Sequence, residues 1–289
     1  MAPVGVGRGI APLVVSCLAL CGWVAVASAQ TVDGPPAGSP PPGAAGETSL
    51  LAENVTRVEM WRYFEPPPKA GTHPDYAFIG NRSTLAASYE GPRWSARGAL
   101  QYVRLENLPA GAIGPGLLGN GGAYYFQAGA TFSYQFYLRG LSLMWRDRSR
   151  GLWLEAGRLS RAASTEAPTG DATIDRLVAD DLNGRLLGDA EWSFYQRAWD
   201  GVRVGTTRDG VAVTITAVVP TQGTFEESAN LSMDRVRVAA AEFTLSPGRI
   251  APRTRVQAFG TVYDDTRLIS ARPDNARLTP VRADIRVGT

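Results

Sequence analysis

From residue 50 onward the chain alternates apolar and polar residues with a period of two, in one short segment after another. That period places successive side chains on opposite faces of an extended strand, whereas a helix needs recurrence at three and four. In residues 130–139, Ala130, Phe132, Tyr134, Phe136 and Leu138 share one face, and Thr131, Ser133, Gln135, Tyr137 and Arg139 the other. Residues 93–103 set Trp94, Ala96, Gly98, Leu100 and Tyr102 against Arg93, Ser95, Arg97, Ala99 and Gln101. Residues 211–219 and 281–288 alternate in the same way, and 55–64, 82–90, 152–160, 199–206, 234–245 and 254–263 do so more weakly. Val236, Val238 and Ala240 share parity with Glu242, which leaves either a bulge in 234–245 or no strand there. The count is ten strands.

The connections sort by length. Short ones, at 91–92, 147–151, 207–210 and 246–248, alternate with long ones at 65–81, 107–122, 161–198, 220–233 and 264–280. A soluble β-sandwich has no reason to sort its loops so, whereas an up-and-down barrel of the outer membrane has short turns at one rim and long external loops at the other. The expected fold is therefore all-β: an antiparallel up-and-down transmembrane β-barrel, of which these ten strands form the N-terminal part. Within 161–198, the segment 172–187 spaces Ile174, Leu177, Val178, Leu182 and Leu186 at near-helical intervals and predicts a short helix at the barrel mouth.

Residues 1–29 stand apart. Arg8 is the only charge before Asp33, Ile10 to Val26 is apolar, and Ala27-Ser28-Ala29 offers a signal-peptidase site. Residues 1–29 are read as a signal peptide in preference to a membrane anchor. Residues 30–50, rich in Pro, Gly and Ala, are read as a disordered periplasmic leader, and 51–289 as the barrel domain, incomplete at its C-terminus. Both cysteines, Cys17 and Cys21, fall in the signal segment, so the remainder has no disulfide, thiolate metal site or cysteine nucleophile. With His73 the only histidine, a His-cluster metal site is excluded and a His-based triad is disfavoured. Acidic pairs such as Asp180-Asp181 and Asp264-Asp265 read as solvated loop charge rather than calcium ligands. No cofactor, metal or catalytic residue is expected. A formal charge of +2 argues against nucleic acid as a partner.

Lys69 is the only lysine among 29 basic residues. If the apolar parity faces lipid, Arg57, Arg82, Arg97, Arg203, Arg235, Arg237, Arg255, Arg282 and Arg286 face the interior. The interior acids are fewer, with Glu59, Glu90, Glu155 and Asp284 the clearest. A charge facing lipid costs about 2–4 kcal/mol at mid-bilayer, so solvation alone turns arginines inward. The sign excess predicts an anion-attracting lumen. The alternative is that these arginines pair across strands with the interior carboxylates.

Gly157-Arg158 is followed by a long segment containing Leu186-Leu187-Gly188-Asp189-Ala190-Glu191-Trp192, and then by Gln196-Arg197-Ala198-Trp199-Asp200-Gly201-Val202-Arg203. That ordered set resembles the alginate-export porin family of Gram-negative outer membranes. The resemblance implies a channel passing an anionic polyuronate, with Arg158, Arg197, Asp200 and Arg203 along its pathway. Together with the parity argument, the expected solute path comprises Arg82, Arg97, Arg158, Arg197, Asp200, Arg203, Arg255, Arg282 and Arg286. Expected partners are outer-membrane lipid, the anionic solute or polysaccharide, and a periplasmic export partner, with the cell outer membrane as location. A barrel enzyme of the outer membrane and a small structural or adhesive barrel with a filled interior are the alternatives.

Overall fold

The computed structural model describes residues 46–62, 75–110, 120–160, 187–190, 192–252 apart from 225 and 227, 254–268 and 281–288. They form ten strands: β1 (Glu47–Arg62), β2 (Asp75–Glu90), β3 (Trp94–Glu106), β4 (Phe132–Asp147), β5 (Leu152–Leu159), β6 (Trp199–Arg208), β7 (Val211–Pro220), β8 (Val236–Leu245), β9 (Arg255–Asp265) and β10 (Val281–Gly288). One helix, α1 (Asn120–Ala128), lies between β3 and β4. The strands make one antiparallel sheet whose spatial order is the chain order. Each hairpin is specified locally. Between β6 and β7 the two-residue turn is Asp209-Gly210, both at positive φ (50° and 75°), the geometry that suits the right-handed twist of a hairpin.

A β-bulge interrupts the β3–β4 ladder. Leu100 pairs with Leu138 but Ala99 pairs with Gly140, leaving Arg139 as the extra residue. The bulge reverses the parity of β4, so that Phe132, Tyr134 and Phe136 share a face with Leu141 and Leu143, all exposed. In β8 the ladders to β7 and β9 run without interruption, so the expected bulge there is absent. The parity of Glu242 has another cause. Val238 and Ala240 enter an apolar layer near the long connections, beside the buried Val236, while Glu242 lies further along the same face, toward the short turns.

That buried face has two tiers. At the ends of the strands from which the long connections emerge, two apolar clusters form. Phe78, Val103, Leu105 and Tyr137 pack with Tyr124 of α1 and with Phe194 and Tyr195. Leu159, Trp199, Val218, Val238 and Ala240 pack with Leu187. Toward the short turns the same face is polar yet still buried, with Ser95, Gln101, Ser142, Arg146, Glu155, Thr216, Gln257 and Thr261. The opposite face is apolar and exposed: Leu85, Leu100, Phe136, Leu141, Leu143, Leu154, Val204, Ile215, Phe243 and Val262 all stand in solvent. Toward the short turns the sheet thus buries polar residues, while the opposite face exposes apolar ones.

Three expectations are corrected here. Among the described residues, β1 and β10 each have a single neighbour and do not pair with each other, so the sheet is open rather than an up-and-down transmembrane β-barrel. A channel needs an enclosed lumen, and an open sheet encloses none; the expected porin passing an anionic solute or polysaccharide falls with closure. An outer-membrane location with lipid as partner, and with a periplasmic export partner, rested on that same closure. Unpaired strand edges in hydrocarbon leave backbone groups without partners at several kcal/mol each. Among the described residues, no helix is long and apolar enough to cross a membrane. β1 begins at Glu47, within the segment expected to be a disordered leader. Residues 30–45 of that leader, the signal segment, His73 and Asp180-Asp181 lie outside the described residues, as does nearly all of the predicted helix over 172–187.

Candidate functional site

The two faces of the sheet carry the chemistry, and the arginines show how each is built. Residues 192–199 run from an exposed tryptophan into β6 and lie across the buried face of β1 to β4. Arg82, 4% exposed, donates through Nη1 to the Ser193 carbonyl at 3.0 Å. Arg57 donates to Glu59 at 2.8 Å and to the Trp192 carbonyl at 2.7 Å. Its guanidinium stands 4.3 Å over the Phe194 ring, an arrangement in which the ring quadrupole attracts the cation. Arg139, the bulge residue, pairs with Asp189 at 3.0 Å and points Nε at Gln196 Oε1 at 3.3 Å. Gln101 Nε2 donates to Gln196 at 2.8 Å and to Thr84 at 2.9 Å, and Gln101 Oε1 accepts from the Tyr137 hydroxyl. Tyr124 of α1 donates to the Thr224 carbonyl at 2.6 Å, and its hydroxyl lies 2.9 Å from Ser193 Oγ. Burial pushes the Tyr137 hydroxyl up to about 12, with the Arg139 and Arg82 guanidiniums pulling in the other direction. Burial raises the Tyr124 hydroxyl as well, so both buried phenols stay neutral, as hydrogen-bonding groups.

Toward the short turns the polar tier is a ladder of ion pairs. Arg146 binds Glu90 at 3.0 Å and Ser95 at 3.0 Å, and Arg97 approaches the same carboxylate at 3.6 Å. Glu155 accepts from Ser142 at 3.0 Å and lies 3.7 Å from Arg203, whose guanidinium is 5.6 Å from the Trp153 ring. Arg97 and Arg203, expected to attract a passing anion, instead face carboxylates of their own chain. This is the cross-strand pairing that the sequence left open.

Arg158 and Asp200 belong to the other face. They are direct cross-strand partners, and Arg158 holds Asp200 with two bonds, of 2.7 and 2.8 Å. Burial pushes the Asp200 carboxyl up, but hydrogen bonds from Arg158 and Ser232 outweigh it and hold the group below the usual carboxylate range. Beside them Gly157 pairs with Gly201. Gly157 has φ +125°, and a Cβ there would sit 2.2 Å from the Leu141 carbonyl oxygen, so only glycine fits. Arg235 and Arg237, assigned by parity to the interior, are exposed and lie on the opposite side from Val236 and Val238.

Arg197 sits apart from the ladder. Its backbone N–H donates to the Asp189 carbonyl at 2.8 Å, and burial depresses its guanidinium. Glu226 and Tyr263 offset part of that depression, and Arg267 adds to it. The side chains of Arg255, Arg282 and Arg286 lie outside the described residues; their backbones place Arg255 opposite Gly288, Arg282 opposite Thr261 and Arg286 opposite Gln257. Among the described residues no three His, Cys, Asp or Glu side chains converge to hold a metal ion.

Arg139, placed by parity on the polar face, was not among the expected site residues, and neither were Arg146, Tyr124, Ser193 and Gln196. For Arg139 a signal existed. The apolar residues change parity between Leu138 and Leu141, and Gly140 next to a charge in mid-strand marks a bulge.

Comparisons of the chain with protein-family models, with curated proteins and with solved structures find no match. The resemblance to the alginate-export porins is therefore corrected. The blocks that carried it have a local origin: Gly157-Arg158 and Asp200-Gly201 are facing halves of one cross-strand contact, with a close backbone approach and a two-bond ion pair.

Proposed function

We propose that this protein is a non-catalytic binding component whose working surface is the exposed apolar face of its sheet. One observation carries the reading: one whole face of the sheet is apolar and exposed, and toward the short turns the buried face behind it is polar. Arg82, Arg139, Arg146, Gln101, Ser142 and Ser193 on the buried face each bond to groups of the same chain, so that face is arranged for internal cohesion rather than for turnover. The exposed face holds leucine, valine, isoleucine and aromatic side chains from nine strands, far beyond the scattered single hydrophobics normal on a surface. An apolar area of that extent gains about 25 cal/mol per Å² when it is removed from water, a gain available only through binding. Residues 1–29 fit a cleavable export signal.

The test uses a fluorescent dye of apolar surfaces, anilinonaphthalene sulfonate, at nanomolar concentrations of the full-length protein. A natively folded, cooperatively unfolding chain should bind the dye, and the triple substitution Leu100→Gln, Phe136→Gln and Leu143→Gln should abolish most of the signal without lowering sheet content by circular dichroism. A folded wild-type chain that leaves the dye in water would sink the reading.

A further inference from the structure

We propose that the occupant of the apolar face is a second copy of this chain, packed face to face about a two-fold axis; this rests on the reading of that face as the binding surface. Three observations lead there. The first is the distribution of charge. On the exposed face of β2 to β8, the charged residues sit only near strand ends, as with Arg104 and Glu106 of β3, Arg158 of β5 and Asp200 of β6. Between those ends, among the described residues, the face carries no charge. A two-fold interface sets the same patch against itself. A charged patch would then meet its own sign, while a charge-free belt meets no penalty.

The second is area. Seven aromatic side chains on this face, from Tyr89 in β2 to Phe243 in β8, are between 36% and 65% exposed. At about 200 Å² of buriable surface per ring, they offer about 700 Å². Ten Leu, Val and Ile side chains from Leu85 to Val262 are exposed between 38% and 58%, and at about 50 Å² apiece add about 500 Å². The total, about 1,200 Å² per copy, exceeds the roughly 800 Å² per partner of a standard stable interface.

The third is sheet geometry. Two sheets that pack face to face interdigitate the side chains of their inner faces at a spacing of about 10 Å. The row Leu141, Leu143, Leu154 and Val204, from the central strands β4 to β6, supplies the interdigitating side chains. Each copy already fills its other face with residues 192–199, α1 and the ion-pair ladder, so the apolar face is the one left for a partner.

Sedimentation equilibrium on the full-length protein decides the matter, with the dye as a second readout. The expected mass is twice that of one chain at micromolar concentration, and dye fluorescence per chain should fall as concentration rises and the face is covered. Leu143→Lys and Leu143→Glu should each weaken self-association by about 100-fold, since like charges would then meet across the axis. Mixing the two variants should restore the dimer, a recovery that misfolded chains cannot give. If both charge variants prove unfolded, Leu143→Ala takes their place, with a smaller rise in dissociation constant. A wild-type chain that stays monomeric at micromolar concentration while binding the dye would overturn the second copy and leave the face as a binding surface for something else. Charge variants that dimerise as tightly as wild type would also overturn it. A wild-type chain that binds no dye even at nanomolar concentration would remove the underlying reading as well.

Discussion

Replacing Arg139 by methionine tests what fastens residues 187–199 to the sheet. The Arg139 side chain is 7% exposed and that of Asp189 15%, so their 3.0 Å contact is largely shielded from water. Removing one member of a buried pair costs about 3–5 kcal/mol, because the other charge is left uncompensated. Two features reduce that here. Asp189 keeps some access to water, and Arg139 Nη1 has no hydrogen-bond partner, so methionine relieves one unsatisfied donor. A net loss of about 2 kcal/mol follows, including the lost bond to Gln196. With a urea slope near 3 kcal/mol/M for a chain of this size, the midpoint should fall by about 0.7 M. Asp189→Asn completes a double-mutant cycle, and the coupling between the two positions should be about 1–2 kcal/mol. A midpoint unchanged by Arg139→Met, or a coupling near zero, would refute the claim that the bulge arginine anchors this segment.

Two further outcomes follow from the same geometry. Gly157→Ala should cost about 2–3 kcal/mol in urea unfolding, since φ +125° and the 2.2 Å approach to the Leu141 oxygen oppose any Cβ; a neutral result would mean the β4–β5 contact is looser than described. Burial raises the Glu226 carboxyl above its ordinary value, with Arg197 and Arg267 offsetting only part of the effect. A carboxyl raised in the folded state disfavours folding once it ionises, so its contribution falls as pH rises through the unfolded value of about 4.3 and then the higher folded value. Glu226→Gln should therefore raise the melting temperature at pH 7 and leave it nearly unchanged at pH 3; equal effects at both pH values would contradict the burial.

The strands were legible because their signal is local. A period of two, together with turn residues such as Asp209-Gly210, needs only neighbours in sequence, and all ten segments read from it are strands. Parity also separated the faces correctly in β3 and β7, where Trp94, Leu100 and Ile215 are exposed and Ser95, Gln101 and Thr216 are buried. It failed where the end of a strand left the apolar belt, at Arg237, and over residues 130–139 alone it gave no sign of the one-residue shift that follows Arg139. The site was less legible. An arginine in a strand announces its charge but not its partner, and the partners here are remote: Asp189 lies fifty residues beyond Arg139, and Glu90 fifty-six before Arg146.

The sequence by itself determined the extended backbone, the hairpin order and the division of each strand into an apolar and a polar side, since each depends on interactions over a few residues. Only the tertiary structure decided three things: that among the described residues the sheet stays open at β1 and β10, that residues 192–199 occupy the polar side, and that Arg97, Arg139, Arg146 and Arg203 face carboxylates of the same chain. Closure and pairing depend on which distant segments meet, and alternation reads the same whether a strand's far edge finds a partner or not. A cation count could therefore suggest an anion path, while Arg97, Arg158 and Arg203 face carboxylates that are remote in sequence or on neighbouring strands.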